Sequence, residues 1–294
     1  MKKKYKILIT GGTGFLGSNL VNELCKNDKL KIFILCRLSS NFTRIDKKNL
    51  KKVVLLKIEN INLNKIFQKY KFDSLIHCAT NYGLKKKNIS DVIQPNLILP
   101  MQLLDLAKNY KIKAFINTDS ILKKNISNYS LSKHHFSEWL KLFSKDFYCC
   151  NIKIEHFFGA QDDDTKFVIS IIKSFLNKSK TIKLTEGNQK RDFIYIDDVI
   201  SAIKKILIHS QKQKKGFEVF EVGTGKNISI KEVVMLIKKL CKNMTTKLEF
   251  GKIPMRKNEP LDVKLNLKKL FKLKWKPKYN LEESLKKTIR YYKQ

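Results

Sequence analysis

Arginine is nearly missing from this strongly basic chain. Of 61 basic residues in 294, five are arginine (Arg37, Arg44, Arg191, Arg256 and Arg290) and the rest are lysine. A formal net charge of +35 raises the question of a nucleic-acid or anionic-membrane partner. The lysines, however, run along the whole chain instead of gathering in one arm or helix. No helix-turn-helix, zinc-finger or aromatic RNA-binding strand pattern accompanies them. The charge therefore reads as compositional bias on a solvated surface, with no nucleic acid as partner. Scarcity makes the few arginines informative, because lysine cannot supply their planar, two-pronged phosphate contact. Long apolar runs are also lacking: none nears the length that spans a bilayer. No apolar leader precedes the first strand, so the expected compartment is the cytoplasm. The six cysteines include no C-x-x-C pair, and several sit in apolar patterns, as buried free thiols would. The five histidines show no ligand spacing, so no metal site is expected. Proline is rare, at five residues, and there is no repeat or low-complexity linker.

What is present begins with Tyr5-Lys-Ile-Leu-Ile-Thr-Gly-Gly-Thr-Gly-Phe-Leu-Gly17. Ile7 to Ile9 reads as a buried strand, Gly11, Gly14 and Gly17 as a turn, and Phe15 to Leu24 as a helix. Strand, glycine turn and helix in that order form the setting of a dinucleotide fingerprint. The glycines allow the tight turn, the approach of backbone to a pyrophosphate, and close packing of helix on strand. N–H groups at the helix start then face the phosphates. Gly11, Thr13, Gly14, Phe15 and Leu16 are the candidate cofactor contacts, with Cys78 and Ala79 at the end of a later strand.

Further strands are expected at Lys31 to Arg37, Val53 to Lys57, Asp73 to Ala79, Ala114 to Asn117 and Ile152 to Phe157. Helices are expected at Ile61 to Tyr70, Gln94 to Tyr110 and Tyr129 to Phe147, with an irregular stretch from Ser39 to Lys52 and a loop from Asn81 to Asp91. The alternation argues for an α/β, Rossmann-type, doubly wound parallel sheet. Residues 1–158 would form the dinucleotide-binding domain, with 190–225 returning to it. Residues 159–294 would form most of a smaller C-terminal α/β substrate lobe. There, helices are expected at Phe167 to Leu176, Asp197 to His209 and Leu281 to Tyr292, and a strand at Phe217 to Gly223. Ser229 and Glu232 form a capping box for a helix from Ile230 to Cys241.

The strongest catalytic signal is Tyr129-Ser-Leu-Ser-Lys133. Spacing i, i+4 puts the phenol and the ammonium on one helix face. A neighbouring ammonium favours the ionised phenol, so the pair can move a proton while a hydride is transferred. At the end of the fifth strand, Ser120 is the preferred hydroxyl for a substrate carbonyl oxygen, and Thr118 the alternative.

This combination resembles the extended short-chain dehydrogenase/reductase family, also called the NAD-dependent epimerase/dehydratase family. The matching pieces are the glycine turn, Asp73 to Ala79, Asn96, Ser120, Tyr129 with Lys133, Lys190 to Asp198, Val222 to Gly225 and Arg256 to Pro260. The resemblance implies that Tyr129 is the acid/base, that Lys133 lowers its pKa and holds the nicotinamide ribose, and that Ser120 orients a sugar keto group. It implies a nucleotide-diphosphate sugar as substrate, clamped by Arg191 and Arg256, with Tyr82, His156 and Lys166 as further pocket candidates. It also implies a homodimer formed through the helices at 94–110 and 129–147. Within the family, residues 154–167 and 183–187 look most like the CDP-paratose and CDP-abequose synthases, which reduce a CDP-4-keto-3,6-dideoxyhexose at C4.

Two departures refine this reading. Sugar 4,6-dehydratases carry Thr-Asp-Glu at the fifth-strand end, whereas this chain has Thr118-Asp-Ser and lacks that base. NAD users place an acid after the second strand, whereas this chain has Cys36-Arg37. A cation there favours NADP(H), with NAD(H) as the alternative if Arg37 only stacks on adenine. Glu59 or Asn60 is left for the adenine side. The sequence thus reads as an NADPH-dependent nucleotide-sugar 4-ketoreductase feeding a surface polysaccharide. The alternatives are a 4-epimerase with tightly bound NAD and a non-catalytic dinucleotide-sensing protein.

Overall fold

Ile7, Leu8 and Ile9 are apolar on both faces of their strand, the pattern of a strand covered on both sides, and all three are buried. They form the centre of β1 (Tyr5–Thr10), from which a computed structural model, describing residues 4–83, 88–255 and 260–293, traces the rest. The chain continues through α1 (Phe15–Leu24), β2 (Leu30–Cys36), α2 (Lys47–Leu50), β3 (Val54–Lys57), α3 (Leu63–Tyr70), β4 (Ser74–His77), α4 (Ile89–Ile93), α5 (Leu99–Asn109), β5 (Ala114–Ser120), α6 (Asn128–Phe143) and β6 (Tyr148–Ile154). There follow β7 (His156–Phe158), α7 (Phe167–Leu176), β8 (Thr181–Lys183), β9 (Lys190–Tyr195), α8 (Ile196–Ser210), β10 (Gly216–Val222), β11 (Asn227–Ser229), α9 (Ile230–Cys241), β12 (Lys247–Glu249), α10 (Lys268–Lys272) and α11 (Leu281–Lys293).

The main sheet has seven strands in the order β10-β6-β5-β4-β1-β2-β3. The pairings from β3 through β5 are all parallel. Strand order reverses between β1 and β4, so the crevice beyond their carboxyl ends is where such a sheet takes a ligand. On one face, Leu8, Leu75 and Phe115 pack with Leu103 of α5 and Phe136 and Leu140 of α6. This layer fixes α6 against β5.

Two compact units emerge, one of residues 1–153 with 200–220, the other of residues 154–199 with 221–294. The segment that returns to the first unit is thus shorter than the expected 190–225. Lys190–Tyr195 belongs instead to the second unit, where β9 pairs in parallel with β7 and antiparallel with β11. β8 pairs in parallel with β12. The box that starts α9 is present: Ser229 Oγ accepts from Glu232 N–H at 3.1 Å, and Glu232 Oε2 accepts from Ser229 N–H at 2.9 Å.

Several sequence expectations need correction. The helix from Tyr129 stops at Phe143, and the apolar run Tyr148-Cys-Cys-Asn-Ile is strand β6. The expected strand at 152–157 divides between β6 and β7. The helix expected at 94–110 is preceded by α4, so the loop expected from Asn81 to Asp91 is shorter, and it opens into a wider π-helical turn at Gln94–Ile98. Pro100 has no N–H to return to the Asn96 carbonyl, which removes the bond that would hold an ordinary turn there. Within the irregular stretch 39–52, Lys47–Leu50 forms one helical turn. Five of the six free cysteines are buried, and Cys241 is partly so.

Candidate active site

Gly11 leaves β1 with φ +65°, in the left-handed region, and a Cβ there would lie 2.4 Å from Ala79 N. The turn therefore packs directly on the chain leaving β4, and only glycine fits. A Cβ on Gly17 would lie 2.1 Å from Gly11 O, so helix α1 sits hard against the turn. Gly14 differs. It precedes α1, its N–H donates to Gly11 O at 3.0 Å, and a Cβ on it would meet nothing nearer than that oxygen at 3.3 Å. Two glycines thus serve packing, and the third leaves a backbone face open at a helix start.

Below this turn the ends of β1, β4 and β5 are tied side to side. Thr10 Oγ1 bonds His77 Nδ1 at 2.7 Å and accepts from Ala79 N–H at 3.3 Å. Thr118 Oγ1 donates to the His77 carbonyl at 2.9 Å. Burial, with Lys133 nearby, holds the His77 imidazole well below its ordinary pKa, so it stays neutral. Burial likewise pushes the Cys78 thiol up to about 12.

Helix α6 begins with two serines that cap each other's backbone. Ser127 Oγ accepts from Ser130 N–H at 3.1 Å, and Ser130 Oγ accepts from Ser127 N–H at 3.0 Å. Tyr129 stands on this first turn and Lys133 one turn later; both are buried. The Tyr129 ring packs on Tyr82, with centroids 4.8 Å apart. Burial first, then Tyr82 and Asp119, raise the phenol well above its ordinary pKa, against hydrogen bonds from Ser120 and Thr80. The sequence argument expected Lys133 to lower it. Desolvation sets the direction instead, and the phenol keeps its proton. Burial also lowers the Lys133 ammonium, and Asp119, then Cys78, push it back up. Lys133 Nζ has no hydrogen-bond partner among the described residues.

Ser120 and Tyr129 therefore meet, with Thr80 and Tyr82 around them and Lys133 one turn further along α6. The proton of Thr118 is committed to His77. Asn96, fully buried, joins the loop after β4 to α6: Oδ1 accepts from Thr80 Oγ1 and Asn81 N–H, and Nδ2 donates to Asn81 O and Ser132 Oγ. At the outer end of β2, Arg37 is exposed. The Glu59 carboxylate accepts from Leu38 N–H at 3.0 Å, so it braces the chain just after Arg37.

In the second unit, Arg191 lies in β9, buried, with Nη1 donating to the Lys190 carbonyl at 2.6 Å. His156 Nδ1 bonds Glu155 Oε1 at 2.8 Å, and its ring lies 5.6 Å from that of Phe193. Lys166 precedes α7, where burial lowers its ammonium against Asp162 and Asp163. Arg256 lies outside the described residues. The sequence argument missed Asp192, a buried carboxylate that accepts from Thr224 N–H, Thr224 Oγ1 and Gly225 N–H. It also missed Asn117 and Asn151, polar residues within the apolar strands β5 and β6. An amide inside such a run is the available signal, because a buried polar group needs partners.

The residues suit a dinucleotide: two glycines shape the turn, Gly14 leaves its outer face free, and Lys133 carries a buried ammonium with donors to give. Tyr129, Ser120 and Lys133 at the same sheet end can deliver a proton to a carbonyl oxygen beside it.

A model of the NAD dependent epimerase/dehydratase family matches residues 7–223. A CDP-abequose synthase of Salmonella muenchen is 36% identical over 299 residues, covering 97% of each chain. Another, from Salmonella typhimurium, is 31% identical over 98% of each. Among solved structures, a UDP-glucuronic acid 4-epimerase from Bacillus cereus, in complex with UDP-glucuronic acid and NAD, superposes with a TM-score of 0.83 at 22% identity, over 98% of this chain and 99% of that one.

Proposed function

The chain belongs to the NAD dependent epimerase/dehydratase family, and from that premise we infer that it reduces a nucleotide-linked 4-keto deoxysugar with NADPH. The observation that carries this reading is the state of the groups at the end of β5. Tyr129 is buried with its proton on, beside the Ser120 hydroxyl. The one carboxylate of that strand end, Asp119, has both oxygens bonded within the protein, to Ser120 N–H at 2.7 Å and Asn151 Nδ2 at 2.8 Å. A proton donor is present, and a free carboxylate base for dehydration is absent from the Thr118-Asp-Ser run.

A bound nicotinamide would supply the hydride to C4. Gly11, Thr13, Gly14, Phe15 and Leu16 would hold its pyrophosphate, Cys78 and Ala79 the chain beneath it, and Lys133 its ribose. Ser120 donates to the keto oxygen and steadies the charge that gathers there. Tyr129 then gives its proton to that oxygen. Arg37 favours a 2′-phosphate, hence NADPH over NADH. Similarity to the two CDP-abequose synthases supports a CDP-linked substrate, with Arg191 and Arg256 on its diphosphate. Trp139 and Leu142, exposed one turn apart on α6, support a homodimer through that helix.

The test is direct. The purified protein is mixed with a CDP-4-keto-3,6-dideoxyhexose and NADPH, and the nicotinamide absorbance is followed. The expected result is stoichiometric oxidation of NADPH. No oxidation with any nucleotide keto sugar, in a preparation carrying tightly bound NAD⁺, would replace this reading with a 4-epimerase.

A further inference from the structure

Lys133 poses a problem of electrostatics. A buried ammonium without a partner gives up its proton unless a counter-charge holds it. The groups that interact with it electrostatically are His77 and Cys78 at the end of β4 and Asp119 on β5, with Tyr129 one turn earlier on its own helix. The imidazole is neutral, and the thiol and phenol keep their protons. Asp119 carries the one carboxylate among them.

Its carboxylate is held by a chain of buried side chains. Asn117 Nδ2 donates to Asn151 Oδ1 at 2.7 Å. Asn151 Nδ2 donates to Asp119 Oδ2 at 2.8 Å and to Ser137 Oγ at 2.9 Å. Ser120 N–H closes the other side of the carboxylate. Asn117 and Asn151 are fully buried and Asp119 nearly so. The register is set twice. Asn117 and Asp119, two apart on β5, share one face. Tyr129, Lys133 and Ser137, spaced by four on α6, share one stripe. The same network that fixes Asp119 thus ends on the stripe that carries the phenol and the ammonium.

We propose that Asp119 is the counter-charge that keeps Lys133 an ammonium, and that Asn151 is the positioning residue that aims it. In the dehydratases that the resemblance brings to mind, the carboxylates of this strand end act on substrate. Here the carboxylate is turned inward and works on the lysine. The inference rests on the reading that Lys133 holds a nicotinamide ribose, and its consequence is a pH range: cofactor affinity persists as long as Lys133 stays charged.

The experiment measures NADPH affinity by fluorescence from pH 6 to 10, with thermal melts alongside. The wild type should bind evenly through neutrality and lose affinity only in the alkaline range. In Asp119→Asn that loss should begin about one pH unit or more lower, the size of an opposite charge removed from a neighbouring buried group. Asn151→Ala should move it in the same direction by less. Should Asp119→Asn fail to fold, the exchange D119N/N151D keeps one carboxylate and the donor–acceptor chain, and its loss should also begin below that of the wild type. Alkaline limbs that coincide with the wild type, or a wild type already losing affinity through neutral pH, would overturn the proposal. Binding is read without a sugar, so the outcome separates from that of the proposed reaction. A shifted limb with no ketone reduced leaves Asp119 in place and removes the reductase; reduction with an unshifted limb does the reverse.

Discussion

Gly14 and Gly17 differ by three positions and should differ in kind when each becomes alanine. In Gly17→Ala the new methyl would stand 2.1 Å from Gly11 O and 2.8 Å from Gly12 Cα, with backbone on both sides. Ordinary contact needs more than about 1 Å of extra room, so α1 must back away from β1. Overpacking of this sort costs about 1–3 kcal/mol, and rigid backbone puts it at the upper end. At a urea slope of about 3 kcal/mol per molar, the unfolding midpoint should fall by about 1 M. In Gly14→Ala the methyl meets only Gly11 O, at 3.3 Å, and a small shift accommodates it. The midpoint should stay within a few tenths of a molar. NADPH binding should nevertheless weaken at least tenfold, about 1.4 kcal/mol, because the methyl projects where a pyrophosphate approaches. Urea unfolding followed by tryptophan fluorescence gives the first number, and NADPH titration the second. Equal midpoints in the two variants, or unchanged affinity in Gly14→Ala, would refute this division of labour.

Other outcomes follow from the same structure. Tyr129→Phe removes the proposed acid and little volume; turnover should fall by about 10²–10⁴-fold with NADPH affinity nearly unchanged, and retained turnover would remove the phenol from the reaction. Arg37→Asp should shift the preference measured by kcat/KM from NADPH towards NADH, and an unaltered ratio would end the 2′-phosphate argument. Burial raises Cys78 and Tyr195 to about 12 and Cys241 to about 11. The unfolded chain releases these protons at lower pH than the folded one. Folded stability should therefore decline as pH rises above about 9 and level off only past the folded values. Urea midpoints from pH 8 to 11 check the sign, and Cys78→Ala should flatten the decline.

The sequence disclosed the parts of the molecule where one local signal sufficed. The β1–α1 turn was legible because glycine spacing, a buried run and helical periodicity coincide there. The α9 start was legible because Ser229 and Glu232 carry the whole cap. Where two forces compete, the reading failed. The expected helix ran on to Phe147 and the expected strand began only at Ile152, because a short apolar run such as Tyr148-Cys-Cys has no period of its own. Lys190–Tyr195 was not among the expected strands, and the donors that satisfy Asp192 stand more than thirty residues away at Thr224 and Gly225. The same holds at the site. Tyr129 and Lys133 could be named from spacing, but the sign of the phenol's shift could not, since desolvation depends on what covers it. Asp119 was visible as a missing glutamate's neighbour, and its inward turn appeared only with Asn151.

The interlocked serines at the start of α6 bear on time as well as place. Helices loosen from their ends, and the first turn is ordinarily the first to open. Tyr129 occupies that turn. If it came and went with the fraying of its helix, each opening would carry the phenol away from the oxygen it is proposed to protonate, and a fraction of encounters would find no acid. Ser127 and Ser130 stitch the turn to itself, and Ser130 Oγ also donates to Lys124 O at 3.0 Å. The proposed proton donor thereby stands on the most labile kind of segment in a form that resists opening. Its readiness becomes a matter of how long two short hydroxyl bonds last, and amide exchange at residues 128–131 is the clock on which that readiness can be read.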